Sequence, residues 1–353
     1  MEGPIKSKVP VQRRKDKLNM KKIVVCGAGG FIGGHLTKTL KAMGHKVRAV
    51  DIKPLTRWYQ ITPGVENFVL DLKKKDNCHQ ALNGCEEVFN LAADMGGMGF
   101  IETHKADCML SVLINTHLLM AARDVGIQRY FYASSACVYN GTKQTDPNNP
   151  GLKESDAYPA LSEDGYGWEK LFSERMCRHF HEDFGLTTRV ARFHNVYGPM
   201  GTYDGGREKA PAAICRKVIA SELYGEKEIV VWGDGHQTRS FMYIDDCVKG
   251  ILDIMYSNIE EPINLGSAEM VSINQLVDYV EEIAHHKLQR KYDLNAPKGV
   301  RGRNSENTLI KKYLGWEPSI PLKDGLKKTY DWIKEQMIEN KGKDSKKIVF
   351  NEF

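Results

Sequence analysis

The sequence predicts an α/β fold in which a doubly wound parallel sheet is joined to a smaller α/β domain. Three observations support this prediction. Strand-like and helix-like segments alternate through the first half of the 353-residue chain, as in parallel sheets with crossover helices. A glycine-rich turn at residues 27–33 directly follows the first strand-like segment. After Asn195 the loops become rich in glycine and proline, which indicates a second domain.

The elements are predicted in chain order from these alternating segments. The first half contains strands at 22–26, 46–50, 67–70, 86–93, 129–134 and 187–193. Its helices lie near 31–43, in a short stretch after 70, at about 103–125 and at about 165–184. The second half contains a helix at 211–222, strands at 228–232 and 262–265, and helices near 272–286 and 321–337. The segment 238–251 is expected to return to the first domain.

These elements predict four regions of the chain. The N-terminal segment 1–20 is expected to be a basic, poorly ordered tail, because such termini lack a docking partner. The other predicted regions are a first domain at 21–195 plus about 238–256, a second domain at 196–237 and 257–340, and a tail at 341–353.

The composition limits the class of protein. Apolar residues make up 41% and charged residues 27% of the chain, as in a soluble globular protein, and no apolar run of about 18 residues predicts a membrane span. A net charge of +5 is too weak to indicate a nucleic-acid partner. The first 22 residues lack the apolar core of a secretory signal.

The eight cysteines have no C-x-x-C spacing, so we expect reduced thiols in a cytoplasmic protein. The His285–His286 pair has no further histidine or cysteine at ligand spacing, so no metal site is expected.

The glycine-rich turn predicts a nucleotide site. Gly27, Gly30 and Gly33 follow the first strand and open the first helix. Glycines at this spacing let a pyrophosphate approach the amino end of the helix. A lone glycine motif is weak evidence, but the series strand, glycines, helix, strand and acid is specific.

The second predicted strand ends at Asp51, 24 residues after Gly27. A carboxylate there can accept hydrogen bonds from the adenosine ribose hydroxyls and repels a 2′-phosphate. The sequence therefore favours NAD over NADP. Lys53 and Arg57 leave NADP open, because basic groups there could hold the extra phosphate.

Tyr166 and Lys170 form a Y-x-x-x-K pair near the start of a predicted helix. Four-residue spacing places both side chains on one helix face. A neighbouring ammonium should lower the pKa of the phenol, which could then take a hydroxyl proton as a hydride leaves the carbon. The stretch Ser134–Cys137, about 30 residues upstream, makes this common pair much more specific.

Together these motifs resemble the extended short-chain dehydrogenase/reductase family, which modifies nucleotide-sugars through tightly held NAD. The resemblance implies a Rossmann-type NAD domain and assigns Ser135 as the hydroxyl that accompanies Tyr166 and Lys170. Cys137 departs from the generic family pattern, in which threonine is more usual.

Longer motifs are similar to those of family members that invert both C3 and C5 of GDP-mannose. The resemblance covers about residues 20–340. Its most specific segments are NLAADMGGMGF (90–100), FYASSAC (131–137), GGREKAPAA (205–213) and GVRGRNS (299–305).

The resemblance implies roles for individual residues. Cys137 and Lys209 would be the acid/base pair at C5 and C3, and Tyr166 and Lys170 would run the redox step. The implied cofactor-binding residues are Gly27, Gly30, Phe31, Ile32, Gly33, Asp51, Asp71, Ala92, Tyr166 and Lys170. The implied substrate-binding residues are Gly96, Ser135, Asn195, Glu208, Lys209, Ala210, Lys217, Gln237, Arg239 and Arg303, the last on the pyrophosphate.

The implied reaction oxidises C4, inverts C5 and C3 of the 4-keto sugar, and reduces C4 again, giving GDP-L-galactose or GDP-L-gulose. A free thiol whose pKa is lowered by nearby cations would suit the base. Lys209 lies two residues before Pro211, a predicted first helical residue, and should have a lowered pKa. Family members are homodimers joined through two helices each, here about 103–125 and 165–184.

Several alternatives stay open from the sequence. Cys137 could be a packed core thiol, and Lys209 could form a surface ion pair with Glu208. As a whole, the chain could be an epimerase/reductase similar to GDP-fucose synthase, although that family pairs its cysteine with histidine and uses NADPH. A plain 4-epimerase, a decarboxylase or a non-catalytic NAD-binding sensor would not require both Cys137 and Lys209.

Overall fold

A computed structural model describes residues 20–297 and 299–343 of the chain. The expected basic tail at 1–20 lies outside the described residues except for Met20, and so does most of the expected tail at 341–353.

The described residues form strands and helices in nearly the predicted order. The strands are β1 (Lys22–Cys26), β2 (Lys46–Asp51), β3 (Glu66–Val69), β4 (Glu87–Asn90), β5 (Arg129–Ser135), β6 (Thr187–Phe193), β7 (Val196–Tyr197), β8 (Glu228–Trp232), β9 (Thr238–Ser240), β10 (Met242–Tyr243), β11 (Ile263–Leu265), β12 (Met270–Ser272), β13 (Gln289–Asp293) and β14 (Gly302–Arg303). The helices are α1 (Phe31–Ala42), α2 (Lys75–Leu82), α3 (Met98–Thr103), α4 (Lys105–Met109), α5 (Val112–Val125), α6 (Tyr166–Phe184), α7 (Ala210–Tyr224), α8 (Ile244–Met255), α9 (Ile273–Ala284), α10 (Thr308–Leu314) and α11 (Leu322–Lys343).

Seven parallel strands form the main sheet, in the order β3-β2-β1-β4-β5-β6-β11. The strand order reverses direction at β1, which pairs with β2 on one side and β4 on the other. Ligands of such sheets bind in the crevice at the carboxyl ends of the strands where the order reverses. The predicted doubly wound parallel sheet is therefore confirmed.

Alternate side chains of the strands enter two separate cores, one on each face of the sheet. In β1, Ile23 and Val25 belong to one core, and Val24 and Cys26 belong to the other. Helices α1 and α8 pack on the first face, and α2, α5 and α6 pack together on the second. This burial on both faces explains why the strands read as continuous apolar runs.

The second half of the chain packs around α7, α9 and α11, whose apolar side chains extend the first core. Strand β8 pairs with β13, and β9 lies between β12 and β14. Strand β11 belongs to the segment assigned to the second domain, yet it pairs with β6 at the edge of the main sheet. The remaining domain boundaries stay a prediction.

Three predicted elements differ from the observed ones. The single helix expected at 103–125 is divided into α4 and α5 by a turn at Leu110–Ser111. His104 leaves the helical region (φ −124°, ψ 46°), stacks on Phe100 at 4.3 Å between ring centroids, and separates α4 from α3. The strand expected at 86–93 ends at Asn90, whose Oδ1 accepts a hydrogen bond from the backbone of Ala92 at 3.2 Å. At the C-terminus, α11 continues to Lys343, past the expected end of the fold.

One helical stretch, Lys105–Val125, is long and apolar enough to cross a membrane by length and composition, and 44% of its most apolar window is buried inside the protein. A core helix meets the same criterion. Here α5 packs against α2 and α6, so its buried side chains already have partners within the fold.

Candidate active site

A cavity of about 920 Å³ opens where the second half of the chain faces the carboxyl end of the sheet. All ten residues expected to bind substrate line it, and so do Cys137 and Tyr166. These residues come from segments more than 200 positions apart, so the fold brings the predicted site residues together. Their individual roles stay predictions.

Cys137 lies in a short 3-10 turn, Ala136–Val138, directly after β5. The hydroxyl oxygen of Ser135 caps this turn by accepting a hydrogen bond from the backbone amide of Cys137 at 3.2 Å. The thiol is buried, with 7% of the residue exposed, yet it borders the cavity. The turn therefore presents a nearly desolvated thiol to any ligand that enters.

The electrostatics of this thiol differ from the expectation. Burial and the nearby Glu163 raise the pKa of Cys137 to about 11, although Arg303 acts to lower it. Nη1 of Arg303 lies 3.5 Å from the Cys137 sulfur. The expected lowering by cations is therefore wrong, because desolvation favours the neutral thiol and the closest cation is shared with a carboxylate.

Tyr166 is the first residue of α6, and Lys170 lies one turn later. The ammonium is 5.4 Å from the centre of the Tyr166 ring, so the predicted same-face arrangement is observed. The expected lowering of the phenol pKa is wrong, because burial raises the pKa of Tyr166 well above its usual range. The Lys170 ammonium also donates a hydrogen bond to the Tyr132 hydroxyl at 3.1 Å and forms an ion pair with Glu169 at 3.5 Å.

Lys209 is the residue directly before α7, and Pro211 is the second residue of that helix rather than the first. Burial lowers the pKa of Lys209, as expected in direction. Glu208 pairs with Arg216 at 3.3 Å, so the alternative of a Glu208–Lys209 surface pair is not observed. The ammonium is thus available to the cavity that Cys137 also lines.

Four further polar side chains of the cavity donate hydrogen bonds to backbone carbonyls. The Gln237 amide donates to the carbonyl of Trp232 at 2.7 Å, and the Lys217 ammonium donates to that of Val230 at 2.8 Å. Asn195 has a positive φ of 40° and donates to the Ser240 carbonyl at 3.0 Å. Arg239 donates to the Thr238 carbonyl at 2.8 Å. Fixed in this way, the side chains keep defined positions around the cavity.

Arg207, which the sequence reasoning missed, holds the loop before Lys209 against the glycine-rich loop after β4. Its guanidinium donates to the Asp94 carboxylate at 2.7 Å and to the Met95 carbonyl at 3.2 Å, and it lies 3.7 Å from the centre of the Phe100 ring. The Gly97 amide donates to the Arg207 carbonyl at 3.1 Å. Arg207 belongs to the segment GGREKAPAA (205–213), but its partners lie over 100 residues away along the chain.

The glycine-rich turn between β1 and α1 fits the pyrophosphate of a dinucleotide. Gly27 has φ +84°, a conformation that side chains disfavour. A Cβ on Gly33 would lie 2.2 Å from the Gly27 carbonyl oxygen, and one on Gly30 would lie 3.1 Å from it. No side-chain hydrogen bond caps the amino end of α1. Phe31 and Ile32 supply the next two residues of the helix.

The other predicted cofactor residues lie at the ends of neighbouring strands. Asp51 ends β2, and the amide of Leu70 donates to its backbone carbonyl at 2.9 Å, which places Asp71 beside it. Each carboxylate accepts a hydrogen bond from the amide two residues later, at 3.0 Å. Ala92 follows β4, next to the Gly27 backbone. Held by these residues, NAD would supply a hydride acceptor.

No group of three histidine, cysteine, aspartate or glutamate residues that could hold a metal ion occurs within residues 20–297 and 299–343. His194, another conspicuous residue near the cavity, is fully buried and hydrogen-bonds Asn264 at 2.9 Å. Burial lowers the pKa of His194 to about 3, so it acts as a packed, neutral residue.

Comparison with known proteins agrees with this geometry. The model of the NAD dependent epimerase/dehydratase family matches residues 23–266. The chain is 50% identical over 321 residues to GDP-mannose 3,5-epimerase 1 of Oryza sativa subsp. japonica, covering 91% of this chain and 83% of that protein. It is 49% identical over 325 residues to GDP-mannose 3,5-epimerase of Arabidopsis thaliana, covering 92% and 85%.

The fold also matches solved structures. UDP-glucose 4-epimerase of Thermotoga maritima, solved with UDP-glucose, superimposes with a TM-score of 0.80 at 24% identity, covering 90% of this chain and 99% of that one. At this identity the likeness concerns the fold alone. The family match spans well over half of the chain and the two plant relatives cover most of it, so this protein is an NAD-dependent enzyme that belongs to the NAD dependent epimerase/dehydratase family.

Proposed function

We propose that this enzyme is a GDP-mannose 3,5-epimerase that converts GDP-mannose into GDP-L-galactose or GDP-L-gulose. The observation that carries the proposal is the presence of the Cys137 thiol and the Lys209 ammonium in the same cavity as Tyr166. A simple 4-epimerase needs only the redox pair. The names of the rice and Arabidopsis relatives support the same substrate.

The proposed reaction begins at C4 of the sugar. Tyr166, as the phenolate, takes the proton of the C4 hydroxyl while the hydride leaves the carbon, and the buried Lys170, whose ammonium lies 5.4 Å from the ring centre, stabilises that phenolate before the transfer. The product is a 4-keto sugar, whose C3 and C5 protons are acidic because the enolate is delocalised over the ketone. Returning the hydride to C4 and the proton to the oxygen leaves no net oxidation.

Inversion of each centre requires a base and an acid. In the proposed step, the Cys137 thiolate removes the proton from carbon, and the Lys209 ammonium returns a proton to the opposite face. Because the pKa of Cys137 is raised to about 11, the resting thiol is protonated at neutral pH, and burial lowers the pKa of Lys209. Generation of the thiolate is therefore a step that the surrounding residues must control.

The competing functions have different requirements. An enzyme similar to GDP-fucose synthase would pair the cysteine with a histidine, but within the described residues the cavity lining contains lysine and no histidine. A non-catalytic NAD-binding sensor would not require a thiol, a phenol and two ammonium groups around one cavity.

Incubation of the protein with GDP-mannose, followed by separation of the sugars, tests the proposal. We expect GDP-L-galactose or GDP-L-gulose to accumulate without added reductant. Conversion that depends on added NADPH would favour the synthase-like function, and no conversion would favour the sensor.

We also propose that the enzyme is a homodimer joined through α5, α6 and the end of α4. An apolar patch formed by Met109, Leu113, Trp168 and Phe172 is exposed on this face, with 37–51% of each residue accessible. Isolated apolar residues are common on surfaces, but a contiguous patch indicates an interface. The same patch on a second copy would be self-complementary about a two-fold axis.

A further inference from the structure

Glu163 is a partly buried carboxylate, with 16% of its side chain exposed, that lies next to the Cys137 thiol and has no part in the proposed mechanism. Its backbone amide donates to the Cys137 carbonyl at 3.0 Å. Gly167, the second residue of α6, packs on the same carbonyl, because an added Cβ there would lie 2.3 Å from the oxygen. The start of α6 is therefore pressed against the turn that carries Cys137, and the Glu163 carboxylate is fixed relative to the sulfur.

Arg303 connects this carboxylate to the thiol. One guanidinium nitrogen, Nη2, forms an ion pair with Glu163, while Nη1 lies 3.5 Å from the Cys137 sulfur. The third nitrogen, Nε, donates to Oε1 of Gln144 at 2.6 Å. Arg303 and Gln144 are 4% and 1% exposed, so the guanidinium is held in a single desolvated position between two acidic groups.

We infer that Glu163 is a positioning residue that fixes Arg303 beside Cys137 and offsets its positive charge, so that the Cys137 thiol is protonated in the resting enzyme. The inference deepens the proposed function, on which its mechanistic meaning rests. It assigns control over the protonation of the Cys137 thiol to a residue outside the acid/base pair. The sequence motifs that contain Cys137 and the Tyr166–Lys170 pair do not predict this role.

The charges around the sulfur support this inference. Glu163 acts to raise the pKa of the thiol, whereas the cations of Arg303, Lys209 and Arg239 face the same group. Burial alone would raise the pKa of Glu163, but Arg303 and the thiol outweigh it, and the carboxyl stays ionised. Tyr166, whose pKa is raised, is neutral there. Without the carboxylate, only cations would face the sulfur.

The test measures the thiol itself. In the full-length protein, the rate of Cys137 alkylation by iodoacetamide is followed across pH, by mass spectrometry of the peptide that carries Cys137. We expect E163Q to increase the rate at neutral pH by about tenfold or more, because each unit by which the pKa falls gives tenfold more thiolate. The pH midpoint should shift downward by the corresponding amount.

The adjacent Asp164 provides a matched control. Its carboxylate is exposed and pairs with Lys105 at 2.7 Å on the surface, so D164N should leave the alkylation profile unchanged. A profile of E163Q that coincides with those of the native protein and D164N would overturn the inference.

A second variant decides the question if thermal unfolding shows that E163Q does not fold. E163D keeps the negative charge but shortens the side chain that carries it by one methylene. Its alkylation rate at neutral pH should therefore lie between the native rate and the rate expected for E163Q. A native rate in E163D would then overturn the inference. No sugar enters this assay, so its result is independent of whether GDP-mannose is converted.

Discussion

At the scale of single residues, Cys137 combines burial with a position at the edge of a cavity. It is as buried as a core cysteine, yet it borders a cavity and lies 3.5 Å from a guanidinium nitrogen. The seven remaining cysteines are also buried free thiols, but none of them lines the cavity. Position at the cavity, and not burial, distinguishes the thiol proposed to react.

The first prediction concerns this thiol. Cys137→Ala should still oxidise C4 but should fail to incorporate deuterium from D₂O at C3 or C5, because the base is missing. The loss should be about 10²–10⁴-fold, as for general-base catalysis. Cys137→Ser should be severely impaired as well, since an alcohol of nearly the same volume is too weak an acid to supply a base. Nuclear magnetic resonance of the recovered sugar measures the exchange.

Lys209→Ala is the control for this prediction, because it removes the proposed acid without touching the thiol. It should block inversion while leaving partial exchange on one face. Near-native deuterium incorporation by Cys137→Ala at both carbons would disprove the proposed role, and a merely packed cysteine would tolerate serine.

The second prediction concerns Tyr166. Tyr166→Phe should abolish transient reduction of NAD by GDP-mannose and leave substrate binding nearly unchanged, since the ring still packs beside Cys137 and Phe100 without its hydroxyl. Absorbance of NADH after mixing measures the reduction, and calorimetry measures binding. Formation of NADH at the native rate would show that another group takes the hydroxyl proton.

At the scale of elements, the close contact between the β1–α1 turn and the start of α1 controls the nucleotide site. Gly33 packs so closely on the Gly27 carbonyl that an added Cβ would lie 2.2 Å from the oxygen. The helix therefore approaches the strand only if this position has no side chain. The loop before α7 depends in a similar way on Gly97, where a Cβ would lie 2.5 Å from the Glu208 carbonyl oxygen.

The third prediction tests the packing of α1. Gly33→Ala should weaken NAD binding, because α1 must shift to relieve the contact, at a cost of about 1–3 kcal/mol typical of overpacking. Titration of the cofactor measures the change. Gly141→Ala is a matched control, since its Cβ would meet no atom closer than 3.7 Å. Equal NAD affinity in Gly33→Ala and the native protein would contradict the prediction.

At the scale of the whole molecule, the apolar patch on α5 and α6 lies on the opposite face of the sheet from the core that continues into the second half of the chain. A second copy bound at the patch would thus extend the face formed by α2, α5 and α6. The second half of each chain, which lines the cavity, would therefore take no part in the dimer contact.

The fourth prediction tests the homodimer. Phe172→Glu places a charge in the patch and should convert the dimer to a monomer, because a buried unpaired charge opposes association. Light scattering after gel filtration measures the mass. Phe184 is similarly exposed, at 52% against 51% for Phe172, but lies at the far end of α6, so Phe184→Glu should leave the mass unchanged. A monomeric native protein would refute the proposed homodimer.

Local sequence determined much of this protein. The strand, glycine turn and helix at 22–42 were predictable because steric limits on Gly27 and Gly33 act between neighbours. The face shared by Tyr166 and Lys170 follows from helical periodicity alone. The substrate-binding residues were predicted from resemblance to a family, and the fold places all ten of them around one cavity.

Tertiary structure decided what depends on distant partners. The three-residue β11 enters the main sheet only because β6 offers it an edge. The pKa of Cys137 is raised rather than lowered because burial and Glu163 outweigh Arg303, and Arg303 is 166 residues from the thiol that it contacts. Desolvation and charge pairing depend on distances in space, which the order of residues along the chain does not specify until the chain has folded.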